Sequence, residues 1–124
     1  MSAGEQLQAI LARHCESLTT EIPLIGAKFS QAVLTRGRYG ELARETAEMV
    51  HRVNGSSGSL GFRELSSAAR NFEEALNESA KSDNAPEESG IRELHHLFSQ
   101  MQTIAEQTRP EDSPLFGIDL SQVG

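Results

Sequence analysis

His51 heads the stretch "HRVNGSSGSLGF", followed by Gly55, Gly58 and Gly61. An imidazole titrates near 6.5 in water, so at neutral pH it offers an uncharged, nucleophilic nitrogen. A glycine inside a helix costs about 1 kcal/mol relative to alanine, so glycines crowded beside a histidine need a reason. On a helical wheel, Leu42, Thr46, Met49, Val53, Ser57 and Leu60 share one stripe, with Val50 at its edge. The stripe keeps its phase through the glycines, and the segment from about Tyr39 to Leu60 therefore reads as one helix. His51 falls about 180° from that stripe, on the face that carries Arg44, Ala47, Gly55 and Gly58. The expectation is a solvated imidazole on a strip cleared of side chains, open to an approaching molecule. The plain alternative is an ordinary surface histidine with glycines kept for close helix packing.

Other residues with chemical potential lead less far. His95 and His96 are adjacent, about 100° apart on a helix, and are poorly placed to share a metal. His14 lies in an apolar stripe and reads as a partly buried, hydrogen-bonded histidine. Cys15 is the only cysteine, so neither a disulfide nor a thiolate metal site can form, and no metal ligands are expected. Ser56, Ser57 and Ser59 have no aspartate placed to complete a hydrolytic triad. "GSSGSLG" lacks the lysine of a phosphate-binding G-x-x-x-x-G-K-[ST] loop, so no ATP site and no self-phosphorylation are expected.

Five helical segments must position these groups. Apolar periodicity places them at about Ala3–Thr19, Thr20–Thr35, Tyr39–Leu60, Arg63–Ser79 and from near Pro86 to Thr108, with Pro23 in the first turn of the second. Short connections make sequential helices antiparallel. The expected fold is all-α: an up-and-down antiparallel four-helix bundle with an additional N-terminal helix, over residues 1–109. Pro110 and Pro114 open a tail, residues 110–124, in which Leu115, Phe116, Ile118 and Leu120 suit either packing on the bundle or a linker.

The composition supports a helical class, with 5% aromatic residues and no tryptophan in 124 residues. Eighteen acidic residues against 11 basic ones give a net charge of −7, which argues against nucleic acid as a partner. No apolar run reaches the roughly 18 residues of a membrane span, and "MSAGEQLQ" lacks a signal-peptide pattern, so a cytoplasmic monomer away from membranes is expected.

The stretch around His51 resembles the histidine-containing phosphotransfer (HPt) domain family, with the approximate pattern H-x-[LIV]-K-G-[SAG]-[SA]-x-x-[LFV]-G. The matching residues are His51, Val53, Gly55, Ser56, Ser57, Leu60 and Gly61, followed by "FRELSSAARNFEEAL". The Gly58-Ser59-x-Gly61-Phe62 ending is similar to the phosphotransfer domain of chemotaxis histidine kinases. The likeness covers the third and fourth helices in detail and the rest by helix count. It implies a carrier whose His51 takes a phosphoryl group on Nε2 from a kinase or a receiver phospho-aspartate and passes it on. Phosphoryl transfer needs positioning and charge stabilisation more than covalent help. On this likeness the receiver supplies the aspartate and Mg²⁺, and this chain binds no cofactor of its own. Glu73 matches a glutamate that accepts a hydrogen bond from Nδ1 and orients the ring, and Arg70 matches a polar or basic position near the phosphoryl group. The family's lysine three residues after the histidine is replaced by Asn54, leaving its charge to Arg44, Arg52 or Arg70. The partners implied are response regulator receiver domains and a sensor or hybrid histidine kinase. A module that docks such partners without carrying phosphate, and a fragment of a larger hybrid kinase, remain alternative readings.

Overall fold

The computed structural model describes residues 2–35 and 37–118. It contains α1 (Ala3–Leu34), α2 (Tyr39–Ser59), α3 (Arg63–Ser79), α4 (Glu88–Gln107) and a 3₁₀ turn, Pro110–Asp112. The helices form a ring in which α1 packs on α2 and α4, and α3 packs on α2 and α4. Among the described residues there is no strand, and no helix is long and apolar enough to cross a membrane.

One expectation fails at the N-terminus. The two segments anticipated at Ala3–Thr19 and Thr20–Thr35 are a single helix, so no additional helix lies across the bundle. Pro23 sits inside α1, where an interior proline costs about 3 kcal/mol through a lost hydrogen bond and a clash. Two features offset this. Leu11, Leu18, Ile22, Ile25, Phe29 and Ala32 are all buried on one continuous face, so the apolar stripe holds its phase through the proline. Thr19, whose carbonyl loses its donor, is exposed like Pro23, and water can satisfy that carbonyl. At the helix start, the Ser2 hydroxyl accepts from the Glu5 amide at 3.1 Å, a side-chain N-cap.

The core centres on aromatic contacts between three helices. Phe29 meets Phe72 edge-on with ring centroids 5.4 Å apart, and Phe98 lies 5.7 Å from Phe72. Tyr39 is fully buried at the start of α2, where its hydroxyl shares a hydrogen bond with Ser79.

The α2–α3 connection consists of Leu60, Gly61 and Phe62 alone. Gly61 takes φ +84°, the left-handed conformation that glycine adopts without penalty. Its amide donates to the Gly58 carbonyl at 3.1 Å, and the Phe62 amide donates to the Ser57 carbonyl at 2.9 Å. Together these bonds form a Schellman motif, which satisfies the last carbonyls of α2 and turns the chain sharply. A connection this short fixes the axial register of α2 against α3.

The boundary expected at residue 109 does not mark a break in packing. Ser113 is buried and donates its hydroxyl to the Leu60 carbonyl, and Leu115 and Phe116 pack against the core. Residues 110–118 therefore close one end of the bundle over the α2–α3 turn. Ile118 stays exposed, and Leu120 lies outside the described residues.

Candidate functional site

The register of α2 against α3 brings His51 and Glu73 together. His51 Nδ1 donates to Glu73 Oε2 at 2.9 Å. A carboxylate only accepts, so the proton of the neutral ring resides on Nδ1 and the lone pair on Nε2. The His51 side chain keeps 69% of its surface exposed and that of Glu73 18%. The ring is thus tethered at one nitrogen by a largely sheltered carboxylate, and the other nitrogen is free to act. Arg44, Ala47, Glu48, Arg52 and Asn77 border an open groove of about 510 Å³ beside this pair.

The remaining sequence-selected residues divide. Gly55 is exposed, and a Cβ built there would meet nothing within 4 Å. Bare backbone therefore lies one turn from His51. Gly58 is exposed as well, but α3 comes close to it. A Cβ there would lie 3.1 Å from Ser66 Oγ, so Gly58 permits the close approach of α2 and α3 near their connecting turn. Ala47 is 2% exposed: it forms the floor of the groove beneath the imidazole instead of an open surface. Arg44 lines the groove, but its Nη1 donates to the Ala80 carbonyl at the end of α3 at 2.9 Å, satisfying an orphan carbonyl there. Arg70 is exposed.

Asn54 faces α3. Ser66 Oγ donates to its side-chain oxygen and reaches its backbone carbonyl at 3.3 Å. The residue that departs from the pattern is thus engaged in holding two helices together. Glu48 and Asn77 were not singled out from the sequence. Each is one helical turn from a selected residue, Glu48 before His51 and Asn77 after Glu73, and that spacing was the available signal.

A second histidine lies behind the site. His14 is half-buried, its Nε2 shares a 3.0 Å hydrogen bond with Ser57 Oγ, and its ring stacks on Phe62 with centroids 5.6 Å apart. Burial lowers its pKa below the ordinary value, with the charge of Glu21 opposing the shift. Burial pushes the Cys15 thiol up, as do the charges of Asp112 and Glu111, which makes it a poor nucleophile. His95 lies edge-on to Phe29 at 4.8 Å, while His96 borders a separate groove between α3 and α4.

Comparison with known families gives one match: the Hpt domain model covers residues 5–104, which include all four of these helices up to the last turn of α4. No curated protein and no solved structure matches the chain.

Proposed function

The chain belongs to the Hpt domain family, the phosphotransfer modules of two-component signalling, and on that premise we propose that His51 carries a phosphoryl group between a kinase or phospho-aspartyl receiver and a response regulator. The single observation that supports this reading best is the tethered, outward ring: Nδ1 held by Glu73 at 2.9 Å, with Nε2 left to solvent.

The proposed step balances simply. The Nε2 lone pair forms a bond to phosphorus of an aspartyl phosphate as the bond from phosphorus to the carboxyl oxygen breaks. The aspartate leaves with the bonding pair as a carboxylate. The Nδ1 proton stays in its hydrogen bond to Glu73, whose negative charge offsets the positive charge that develops on the ring. Reversal of the same step onto a second receiver's aspartate passes the group on. Glu73 orients the imidazole and fixes its tautomer, and Gly55 leaves room for the partner's surface. The chain contributes position and electrostatics, and the receiver contributes Mg²⁺ and the reacting carboxylate. The working partners are receiver domains and a sensor or hybrid kinase, encountered in the cytoplasm.

The test is incubation with a receiver phosphorylated with radiolabel. Label is expected on the wild type and none on His51→Gln. A wild type that binds receivers yet takes no label would identify a docking module instead.

A further inference from the structure

Each of the three residues that join α2 to α3 is held from outside that helix pair. The Ser113 hydroxyl donates to the carbonyl of Leu60, the C-cap of α2. The Pro114 ring presses on Gly61: a Cβ there would lie 2.9 Å from Pro114 Cδ and 3.2 Å from Ser113 Oγ. Phe62 is buried and stacked on His14 of α1. Two of the three holds therefore come from Ser113 and Pro114, which lie beyond residues 5–104, the span that the Hpt model matches.

The segment that supplies them is itself anchored. At its start the Arg109 amide donates to Asp112 Oδ2 at 2.8 Å. The Leu115 amide donates to Ser113 Oγ at 3.1 Å, so that hydroxyl accepts one bond and has its proton for the Leu60 carbonyl. Leu115 and Phe116 pack against the core, and the Ile118 carbonyl comes within 3.7 Å of a Cβ built at Gly4 of α1.

The turn matters to the site because His51 and Glu73 are equidistant from Phe62 along the chain. Their meeting depends on where α2 ends and α3 begins. One residue gained or lost by a helix at the turn displaces it by about 1.5 Å and rotates it by about 100°. Either change breaks a hydrogen bond of 2.9 Å. Gly61, at φ +84°, is the residue freest to let such a slip begin. The bonds from Ser66 to Asn54 and from Arg44 to Ala80 hold the same register further along the pair, whereas Ser113 and Pro114 act on the turn.

We infer that Ser113 and Pro114 are positioning residues for His51. By holding Leu60 and Gly61, they keep the α2–α3 turn in the form that sets the imidazole Nδ1 against Glu73. Neither borders the groove beside the ring, so they act through the helix pair and not on the phosphoryl group. Their effect on transfer rests on the phosphotransfer reading; their effect on the ring does not.

The test uses the full chain and a small phosphoryl donor, phosphoramidate. Nε2 attacks phosphorus, the bond between phosphorus and the ammonia nitrogen breaks, and ammonia leaves with the bonding pair. Phosphohistidine is located by peptide mapping, and nitrogen-15 spectra report which ring nitrogen of neutral His51 carries the proton. Ser113→Ala should slow phosphorylation about threefold, the lower end of what one hydrogen bond contributes, and should loosen the confinement of the proton to Nδ1. Ser113→Thr, which keeps a hydroxyl, should recover both. Pro114→Ala changes an exposed side chain and should act in the same direction more weakly. In a Glu73→Ala background, Ser113→Ala should slow the reaction no further, because the contact it serves is already gone. A wild-type rate and tautomer in both Ser113→Ala and Pro114→Ala, or an undiminished loss in the Glu73→Ala background, overturns the inference. A wild type that takes no phosphoryl group on His51 overturns the phosphotransfer reading, and the nitrogen-15 spectra still decide whether Ser113 positions the ring.

Discussion

His51 projects from the outer face of α2, whereas His14 of α1 reaches the inner face of α2 at Ser57, and the contrast between them separates an accessible imidazole from a packed one. The first is outside, its Nδ1 held by a carboxylate and its Nε2 in water. The second is half-buried, its Nε2 occupied by Ser57 and one ring face covered by Phe62. Both are satisfied polar groups. The difference is which nitrogen the fold uses up: the tether at Nδ1 leaves the outward nitrogen of His51 available, whereas the bond at Nε2 of His14 ties that nitrogen to the neighbouring helix. Burial also moves His14 away from the charged form.

The strongest way to break this comparison is to exchange the roles on paper and look for phosphate. His51→Gln should lose phosphoryl acceptance altogether, and His14→Gln should retain it; label persisting on His51→Gln would place the acceptor elsewhere. Next in size is Gly55→Arg. Arginine is a better helix former than glycine by roughly 0.8 kcal/mol, and nothing lies within 4 Å of the new Cβ, so the melting temperature should hold or rise. Transfer from a receiver should fall about a hundredfold, as expected when reacting groups are kept from close approach, and unimpaired transfer would show that the partner does not cross that strip.

Removing the tether sharpens the contrast further. Glu73→Ala should slow phosphorylation about tenfold, the low end for a hydrogen bond to a charged group. Nitrogen-15 spectra should show the proton of the His51 ring no longer confined to Nδ1. A wild-type tautomer in that variant would dismiss the carboxylate as the orienting group.

The smallest effect is a pH dependence that belongs to His14 alone. Its pKa is lowered on folding, so in mildly acidic solution the unfolded chain binds more protons at this site than the folded one. The stability contributed by the neutral ring is present above the unfolded value near 6.5. It is lost progressively as pH falls from there toward the folded value. Thermal melts between pH 8 and pH 5 should slope downward on acidification, and less steeply in His14→Gln. Equal slopes in the two proteins would remove His14 as the source.

The site was more legible than the scaffold beneath it. Apolar phase alone put His51 opposite the core, because phase on a helix is a local property of the chain. Glu73 came from a resemblance, and its hydrogen bond to His51 follows from a three-residue turn that locks two helices in register. Three particulars could not be read in advance. Pro23 suggests a helix start, yet the continuous burial on both sides of it outweighs one missing hydrogen bond. Gly55 and Gly58 look equivalent in the chain and both are exposed, but α3 comes close to Gly58 and nothing comes close to Gly55. Asn54 reads as a lost charge at a reactive site, while the fold uses it as a partner for Ser66.

By itself the sequence determined that the chain is helical, which histidine stands outside the core on α2, and that a cleared glycine stands beside it. These follow from periodicity and residue chemistry, which act over a few residues. The tertiary structure decided which small residues are contacts and which are open space, which nitrogen of each histidine is free, and that residues 110–118 belong to the bundle. Those outcomes depend on the distance and register between separate helices, and such quantities exist only once the elements have packed.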